Sequence, residues 1–325
     1  VHPAITSNII KEYLEYSIID DIDVSKIFKK DNKIEFHNEL NILMKIRNIP
    51  DYIFFTTAIK SASKFKYKNI YYHKNIDIEY SKYDDNVYQI IFEYGGTPIN
   101  KINYNISFSK FLQYFKQLLK GVKSLQDNNI VHRDIKPTNC LITDKKLNLI
   151  DFGLACDVNN VYKNDKDTEF ILSYMYMYHP PEFYIIHLLY KQQKICDDFI
   201  KNLDNVFNNL LPDNIDKFYY EHYYRYFFNE PYNIFAYKKA FHKFYTDIKD
   251  KNIKKIEDIL TIDFAFKTDI FSLSFILKSL KSHIIFNNIH QRQTFNILYY
   301  MMYALNPYDR CNINEIIDYI EIIYN

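Results

Sequence analysis

The sequence predicts an α+β protein of two lobes: a small lobe carrying a sheet over residues 1–94 and a large, mainly helical lobe over residues 95–325. Three observations predict it. Runs that read as strands lie near residues 23–28, 52–55 and 87–92, all in the first third of the chain. Beyond residue 95 the apolar residues recur at helical spacing, most clearly over 108–125. Within that helical part a single pair of short strands is signalled, 140–142 and 147–150, split by a polar turn at 143–146. A chain of 325 residues is long enough for two lobes with substantial cores.

Taken in order, Asp23-Val24-Ser25-Lys26-Ile27-Phe28 alternates as a strand. A helical pattern follows. Phe36, Leu40, Leu43 and Arg47 share one side of it, and Glu39 lies beside that stripe. Two more strands are expected near 52–55 and 87–92, joined by a polar link rich in Lys and Tyr. The second ends at Glu93-Tyr94-Gly95-Gly96, where paired glycines mark a turn. In the long helix Phe108, Phe111, Leu112, Phe115, Leu118, Leu119, Val122 and Leu125 form one stripe, with Ser107 as N-cap. That stripe is core and has no chemistry of its own. Residues 190–262 are mostly helical in pattern and dense in aromatics, among them Phe218, Tyr219, Tyr220 and Phe227. Two readings stay open for them: a helical subdomain packed on the large lobe, or a docking surface for a protein partner, since exposed aromatic patches mark interfaces.

The chemistry concentrates around the short hairpin. Val131-His132-Arg133-Asp134-Ile135-Lys136-Pro137-Thr138-Asn139 precedes it and Asp151-Phe152-Gly153 follows it. Two carboxylates, an Asn and a Lys therefore hang from loops at its ends. This set suits phosphoryl transfer. One carboxylate accepts a hydroxyl proton, the other joins the Asn in holding Mg²⁺ through hard oxygens, and the Lys neutralises the moving phosphoryl group. The two loops resemble the catalytic and metal-binding loops of the eukaryotic protein kinase family. A lone His-Arg-Asp would be a chance match; the long run with Asp-Phe-Gly at this spacing is specific.

The resemblance implies a bilobal kinase fold with ATP and Mg²⁺ in the crevice between lobes. It makes Asp134 the catalytic base and brings Lys136 to the transferred phosphoryl, the Ser/Thr form of the loop. Asn139 and Asp151 become the Mg²⁺ ligands. Lys26 would contact the nucleotide phosphates with Glu39 as its ion-pair partner; Lys29, Lys30 and Lys33 compete for the first role and Glu35 for the second. Backbone groups of Glu93 and Gly95 would bond the adenine, with Phe92 at the back of the pocket. Residues 154–178 resemble the activation segment, closed by His179-Pro180-Pro181-Glu182, and Glu182 is expected to pair with Arg310. Asp269 would brace the catalytic loop. Arg133 would grip a phosphate on the segment, with Thr168 or Ser173 as switch sites, while His132, Phe152 and Leu43 would be scaffold.

The pattern also departs from the family. No G-x-G-x-x-G exists: the only glycines are Gly95, Gly96, Gly121 and Gly153, and none precedes Lys26. A phosphate-covering loop uses Gly so that backbone N–H groups approach closely. Val24 stands where Ala is usual, Ser274 where Gly is usual, and Met175 where Thr is usual. Glu182 and Asp269 lie far further apart than the family connection of about a dozen residues, which makes 190–262 an insertion.

Composition excludes several classes. Basic and acidic residues number 41 and 40, so global charge gives no footprint for nucleic acid. Cys140, Cys156, Cys196 and Cys311 show no CxxC spacing and read as reduced thiols of a cytoplasmic protein. No apolar run approaches the roughly 20 residues of a membrane helix. The chain opens on Val1, so sequence upstream is expected, and no regulatory tail is expected after the last helix. The excess of Tyr, Phe, Ile, Asn and Lys fits A/T-rich codons, as in a large DNA virus or an A/T-rich protist.

The expected function is a Ser/Thr protein kinase acting on a protein substrate. Two alternatives stand beside it. A pseudokinase or scaffold would bind partners through the insertion, and the missing glycines favour it. A kinase of small molecules or lipids could share the Asp and Asn of the loop, but the full His-Arg-Asp-x-Lys-Pro run argues against it.

Overall fold

The computed structural model describes residues 23–28, 30–66, 86–158, 178–193, 198–211 and 234–324. The small lobe is an antiparallel sheet with one helix on it. Strands β1 (Val24–Phe28), β2 (Ile59–Lys66) and β3 (Asn86–Phe92) run in the order β1-β3-β2. Helix α1 (Lys33–Arg47) lies between β1 and β2 in sequence. It buries Phe36, Leu40, Leu43 and Ile46, while Arg47 stays exposed, so the apolar stripe ends one residue earlier than its spacing predicts. The Phe36 ring lies tilted at 4.8 Å from Tyr88 of β3 and edge-on at 5.5 Å from Phe28 of β1, which ties helix to sheet. Each such ring contributes roughly 1.5–3 kcal/mol on burial.

The strand expected near 52–55 is not there. Tyr52–Phe54 form a single 3₁₀ turn, entered through Asp51 in the left-handed region (φ 60°). The hydrogen bonds of this stretch go to the large lobe instead. The Leu149 N–H donates to the Phe55 carbonyl at 2.7 Å, and the Thr56 hydroxyl donates to the Leu149 carbonyl at 2.7 Å. The true strand, β2, is a Ser/Lys-rich run with little apolar signal, fixed by its long register with β3.

A linker at 93–96 enters the large lobe. Gly96 takes φ +114°, a conformation that L side chains rarely adopt. Then come β4 (Thr97–Pro98), β5 (Ile106–Ser107) and helix α2 (Phe108–Asp127). Ser107 caps α2 by accepting from the Lys110 N–H, worth about 1 kcal/mol, and every residue of its predicted stripe is buried. Beyond α2, β6 (Ile130–Val131), β7 (Cys140–Ile142), β8 (Leu147–Leu149) and β9 (Cys156–Asp157) form two small sheets, β4-β7-β8 and β6-β9. These strands hold the functional loops. The Thr143 hydroxyl accepts from the N–H groups of Lys145 and Lys146 and closes the β7–β8 turn.

The remaining helices are α3 (Glu182–Gln193), α4 (Phe199–Asn205), α5 (Ile234–Asp250), α6 (Ile262–Leu280), α7 (Ile289–Tyr303) and α8 (Ile313–Tyr324), with β10 (Ile284–Ile285) pairing parallel to β5. One core runs from Phe28 and Phe36 in the small lobe through α2 and α6 to Ile320 of α8. A second gathers α3, α4 and α5 with Phe264 at the start of α6. The described residues of 190–262 thus pack on the large lobe. Helix α5 and the turn after it also hold the stretch at 306–310: Asn306 Nδ2 donates to Asp247 at 2.6 Å, Lys243 pairs with Asp309, and Lys251, just past the helix end, sits 3.3 Å over the Tyr308 ring. Phe218, Tyr219, Tyr220, Phe227, Cys196, Lys29, Thr168, Ser173 and Met175 lie outside the described residues. Among the described residues no helix is long and apolar enough to cross a membrane.

Candidate active site

The cleft between the lobes is built from three supports: the β1 strand, helix α1 and the β7–β8 hairpin. Lys26 projects from β1, and its Nζ lies 2.6 Å from Glu39 Oε2 and 2.6 Å from Asp151 Oδ1. Glu39 is 1% exposed, carried to the cleft by the packing of α1 on the sheet. Its rivals fall elsewhere: Lys33 is exposed, and Glu35 is exposed and accepts from Asn32 at 2.9 Å. Burial alone would lower the Lys26 pKa, but the two carboxylates outweigh it and the pKa is raised. Burial pushes the Glu39 carboxyl up, with Lys26 pulling it part of the way back. For Asp151 burial works against the charge, yet Lys26, aided by Lys136, holds the carboxyl below its ordinary value.

The loop after β6 is fixed from beneath. Asp269 of α6 accepts the N–H groups of His132 at 2.7 Å and Arg133 at 2.8 Å. Burial pushes the Asp269 carboxyl up to about 7 against those two bonds. Arg133 and Asp151 both take left-handed backbone conformations, at φ 63° and 64°. Non-glycine residues held there cost of order 1–3 kcal/mol, and such strain clusters at functional sites. His132 is fully buried, its Nε2 donating to the Ile150 carbonyl at 3.2 Å and its Nδ1 accepting the Asp134 N–H at 3.3 Å. Its ring packs 4.6 Å from Phe152.

Asp134 is 5% exposed. Its Oδ2 receives Lys136 Nζ at 2.9 Å and Asn139 Nδ2 at 2.7 Å. Its Oδ1 is buried and has no hydrogen-bond partner among the described residues. A buried carboxyl oxygen left open in this way is placed to accept a hydrogen bond from a donor that enters the cleft.

A cavity of about 290 Å³ opens beside these groups. That volume is close to the lower end of the roughly 300–1,000 Å³ range for small-molecule sites. Val24 lines it from the small lobe, Leu141 and Ile150 from the large lobe, with Phe92 and Gly95 at the linker. The Glu93 N–H is spent on the Ala58 carbonyl at 3.0 Å, and the Gly95 carbonyl accepts Asn148 Nδ2 at 2.8 Å. A wider groove of about 540 Å³ between residues 49–55 and α2 holds none of the chemistry.

Residues 21–195, more than half of the chain, match the protein kinase domain family. The chain belongs to that family. It is similar to the CTD kinase subunit alpha of Saccharomyces cerevisiae, 39% identical over 107 residues that cover 31% of this chain and 20% of that protein. It is also similar to the serine/threonine-protein kinase chk-1 of Caenorhabditis elegans, 43% identical over 25% of this chain and 16% of that one. The cyclin-dependent kinase C-3 of Oryza sativa subsp. japonica is 41% identical over 22% of this chain and 24% of its own. The chain thus spans about a fifth of the length of these relatives.

Other parts of the kinase framework are also in place. Glu182 and Arg310 form a buried bidentate pair at 2.8 and 3.2 Å. Arg133 Nε donates to the Leu154 carbonyl at 2.6 Å, at the entry to the segment. Ser274 turns its buried hydroxyl onto the Phe271 carbonyl at 2.6 Å, which satisfies it inside α6. For a metal, Asn139 and Asp151 supply one amide and one carboxylate at the cavity wall. No cluster of three or more His, Cys, Asp or Glu suited to a metal occurs among the described residues. Two oxygen donors fit Mg²⁺ arriving with a nucleotide, since that ion keeps waters and phosphate oxygens as its other ligands.

Three contributors escaped sequence reasoning: Thr57, Ile150 and Asn148. The first two are small or apolar residues next to strand ends and carry no local mark. Asn148 does carry one, a polar residue between Leu147 and Leu149 in a strand buried at every position.

Proposed function

We propose that this chain is a protein kinase that transfers the ATP γ-phosphate to Ser or Thr hydroxyls of a protein substrate. The observation that carries this reading is the open Oδ1 of Asp134, held in a bonded cluster with Lys136 and Asn139 beside the Lys26–Glu39–Asp151 triad. Asp134 Oδ1 orients the attacking hydroxyl and takes its proton. Lys136, already within reach of that carboxylate, offsets charge on the transferred group. Lys26 steadies the nucleotide phosphates, and Glu39 fixes where Lys26 can point. Asn139 and Asp151 hold Mg²⁺, which supplies charge neutralisation of the phosphates. Placement and electrostatics do most of the work in such a reaction. Lys136 two residues after Asp134, together with relatives named as serine/threonine kinases, supports the choice of acceptor.

The scaffold reading keeps one observation in its favour: no glycine precedes Gly95 in the sequence. One experiment separates the two. The purified protein should phosphorylate Ser or Thr of a generic basic protein with Mg·ATP, and Asp134→Asn should lower the rate by about 10²-fold or more. The variant should keep the thermal shift given by Mg·ATP. A shift without transfer in the unsubstituted protein supports a nucleotide-binding scaffold; neither shift nor transfer removes the kinase reading.

A further inference from the structure

Two threonines stand side by side where the small lobe meets the cleft, and their hydroxyls differ. The Thr56 hydroxyl donates to the Leu149 carbonyl at 2.7 Å. The Thr57 hydroxyl has no hydrogen-bond partner among the described residues, although Thr57 is only 8% exposed. Thr57 borders the cavity between the lobes, as a wall residue among Val24, Phe92, Leu141 and Ile150. A hydroxyl shielded by apolar side chains is costly unless something bonds it, and valine would fill the same space without that cost. In small-molecule sites a few polar groups in an otherwise apolar wall are what orient the ligand.

The direction of that hydroxyl is set by the linker. The Thr57 methyl lies so close to Gly95 that a Cβ added there would overlap it and Leu141. A β-branched side chain has few χ1 choices, and with its methyl wedged against Gly95 the hydroxyl is turned off the linker. The group is therefore fixed before any ligand arrives. What it would meet follows from the reading, on which this inference rests, that the cleft takes a purine nucleotide with the amino edge of its base at residues 93–95. Of the two ring acceptors that flank the 6-amino group, N1 then turns to the linker and N7 turns inward. A hydroxyl donor is the complement of N7.

We propose that Thr57 is a nucleotide-binding residue whose side-chain hydroxyl donates to N7 of the purine and so fixes how the base sits against the inner wall of the cleft. The ligand class is a purine nucleoside triphosphate with an acceptor at position 7. A site built to bond such an atom rejects the analogue that lacks it, because the hydroxyl is then left unpaired in an apolar wall. Each partner of the bond therefore reports on the other.

The test is a double-mutant cycle on the full chain, read as calorimetric dissociation constants for the Mg²⁺ complexes of ATP and of 7-deaza-ATP, in which C–H replaces N7. The unsubstituted protein should bind 7-deaza-ATP roughly three- to tenfold more weakly than ATP. Thr57→Val keeps the shape and removes the hydroxyl, so the ratio of the two constants should move toward one by about threefold or more. Thr57→Ala serves in its place should the first not fold. General loosening of the cleft weakens both ligands alike and leaves the ratio where it was. Equal binding of the two by the unsubstituted protein, or a preference for ATP that survives loss of the hydroxyl, overturns the assignment while leaving the kinase reading standing. Failure of both triphosphates to bind overturns both.

Discussion

Single residues in this cleft act by the state in which their neighbours hold them. His132 shows it best. Burial keeps its pKa below the ordinary 6.5, so the folded protein resists a proton that the unfolded chain accepts. The stability this gives is present above about pH 6.5 and is lost as pH falls through the folded value. His132→Phe removes the titration. The melting-temperature gap between the two proteins should therefore narrow from pH 8 to pH 5, at no more than about 1.4 kcal/mol per pH unit. Parallel curves in thermal unfolding would show that His132 is not held neutral. At this scale the sequence was informative wherever chemistry sat in a strong local context. Asp134, Lys136, Asn139 and Asp151 could be read because a hairpin brackets them; Lys26 and Glu39 came from the family resemblance, and the fold is what separates them from the rivals Lys33 and Glu35, which are exposed. Asn148 could not, since its partner is a backbone carbonyl 53 residues away.

Elements are joined by ion pairs of very different worth. Lys45 of α1 meets Asp157 of β9 at 2.6 Å, but Lys45 is half exposed. Such a pair contributes less than about 1 kcal/mol, so Lys45→Ala should leave the denaturant midpoint nearly unchanged. Arg310 is the opposite case. It is fully buried, also donates to the Ala304 and Lys267 carbonyls, and lies 4.8 Å over the Phe271 ring. Glu182→Gln strands that guanidinium without its counter-charge and should cost about 3–5 kcal/mol in equilibrium unfolding. A loss under 1 kcal/mol would mean that Arg310 reaches solvent or another acid. The helices were legible from their period, and α2 in particular down to its cap. The small-lobe strands were less so. Residues 52–55 are apolar and β-rich, yet the left-handed Asp51 and the pairing with Leu149 claim them for a turn; β2 gains its identity only from β3.

On the scale of the whole molecule, the two lobes share one continuous core, from Phe36 to Ile320. Heating should therefore give one main transition, and Mg·ATP at about a hundred times its dissociation constant should stabilise the folded state by about 2.7 kcal/mol. Calorimetry would reveal a separate small-lobe transition if that core did not couple them. The second core makes a claim on residues 190–262. Phe244 of α5 is 1% exposed at its centre, and Phe244→Ala should cost about 3–5 kcal/mol. The two-lobe fold class was legible in the sequence, but no periodicity in residues 190–262 says what they pack against.

The grip of α5 and the turn after it on the stretch at 306–310 bears on how this protein can be shortened. Asp247, Lys243, Phe244 and Lys251 together shore up the stretch from which Arg310 reaches Glu182. A trimmed gene that splices α3 directly to α6 would shorten the stretch from Glu182 to Asp269 and yet strip the buttress from Arg310. The excised stretch has become part of the foundation, so a minimal version would need new side chains facing Asn306 and Tyr308 before it could stand alone.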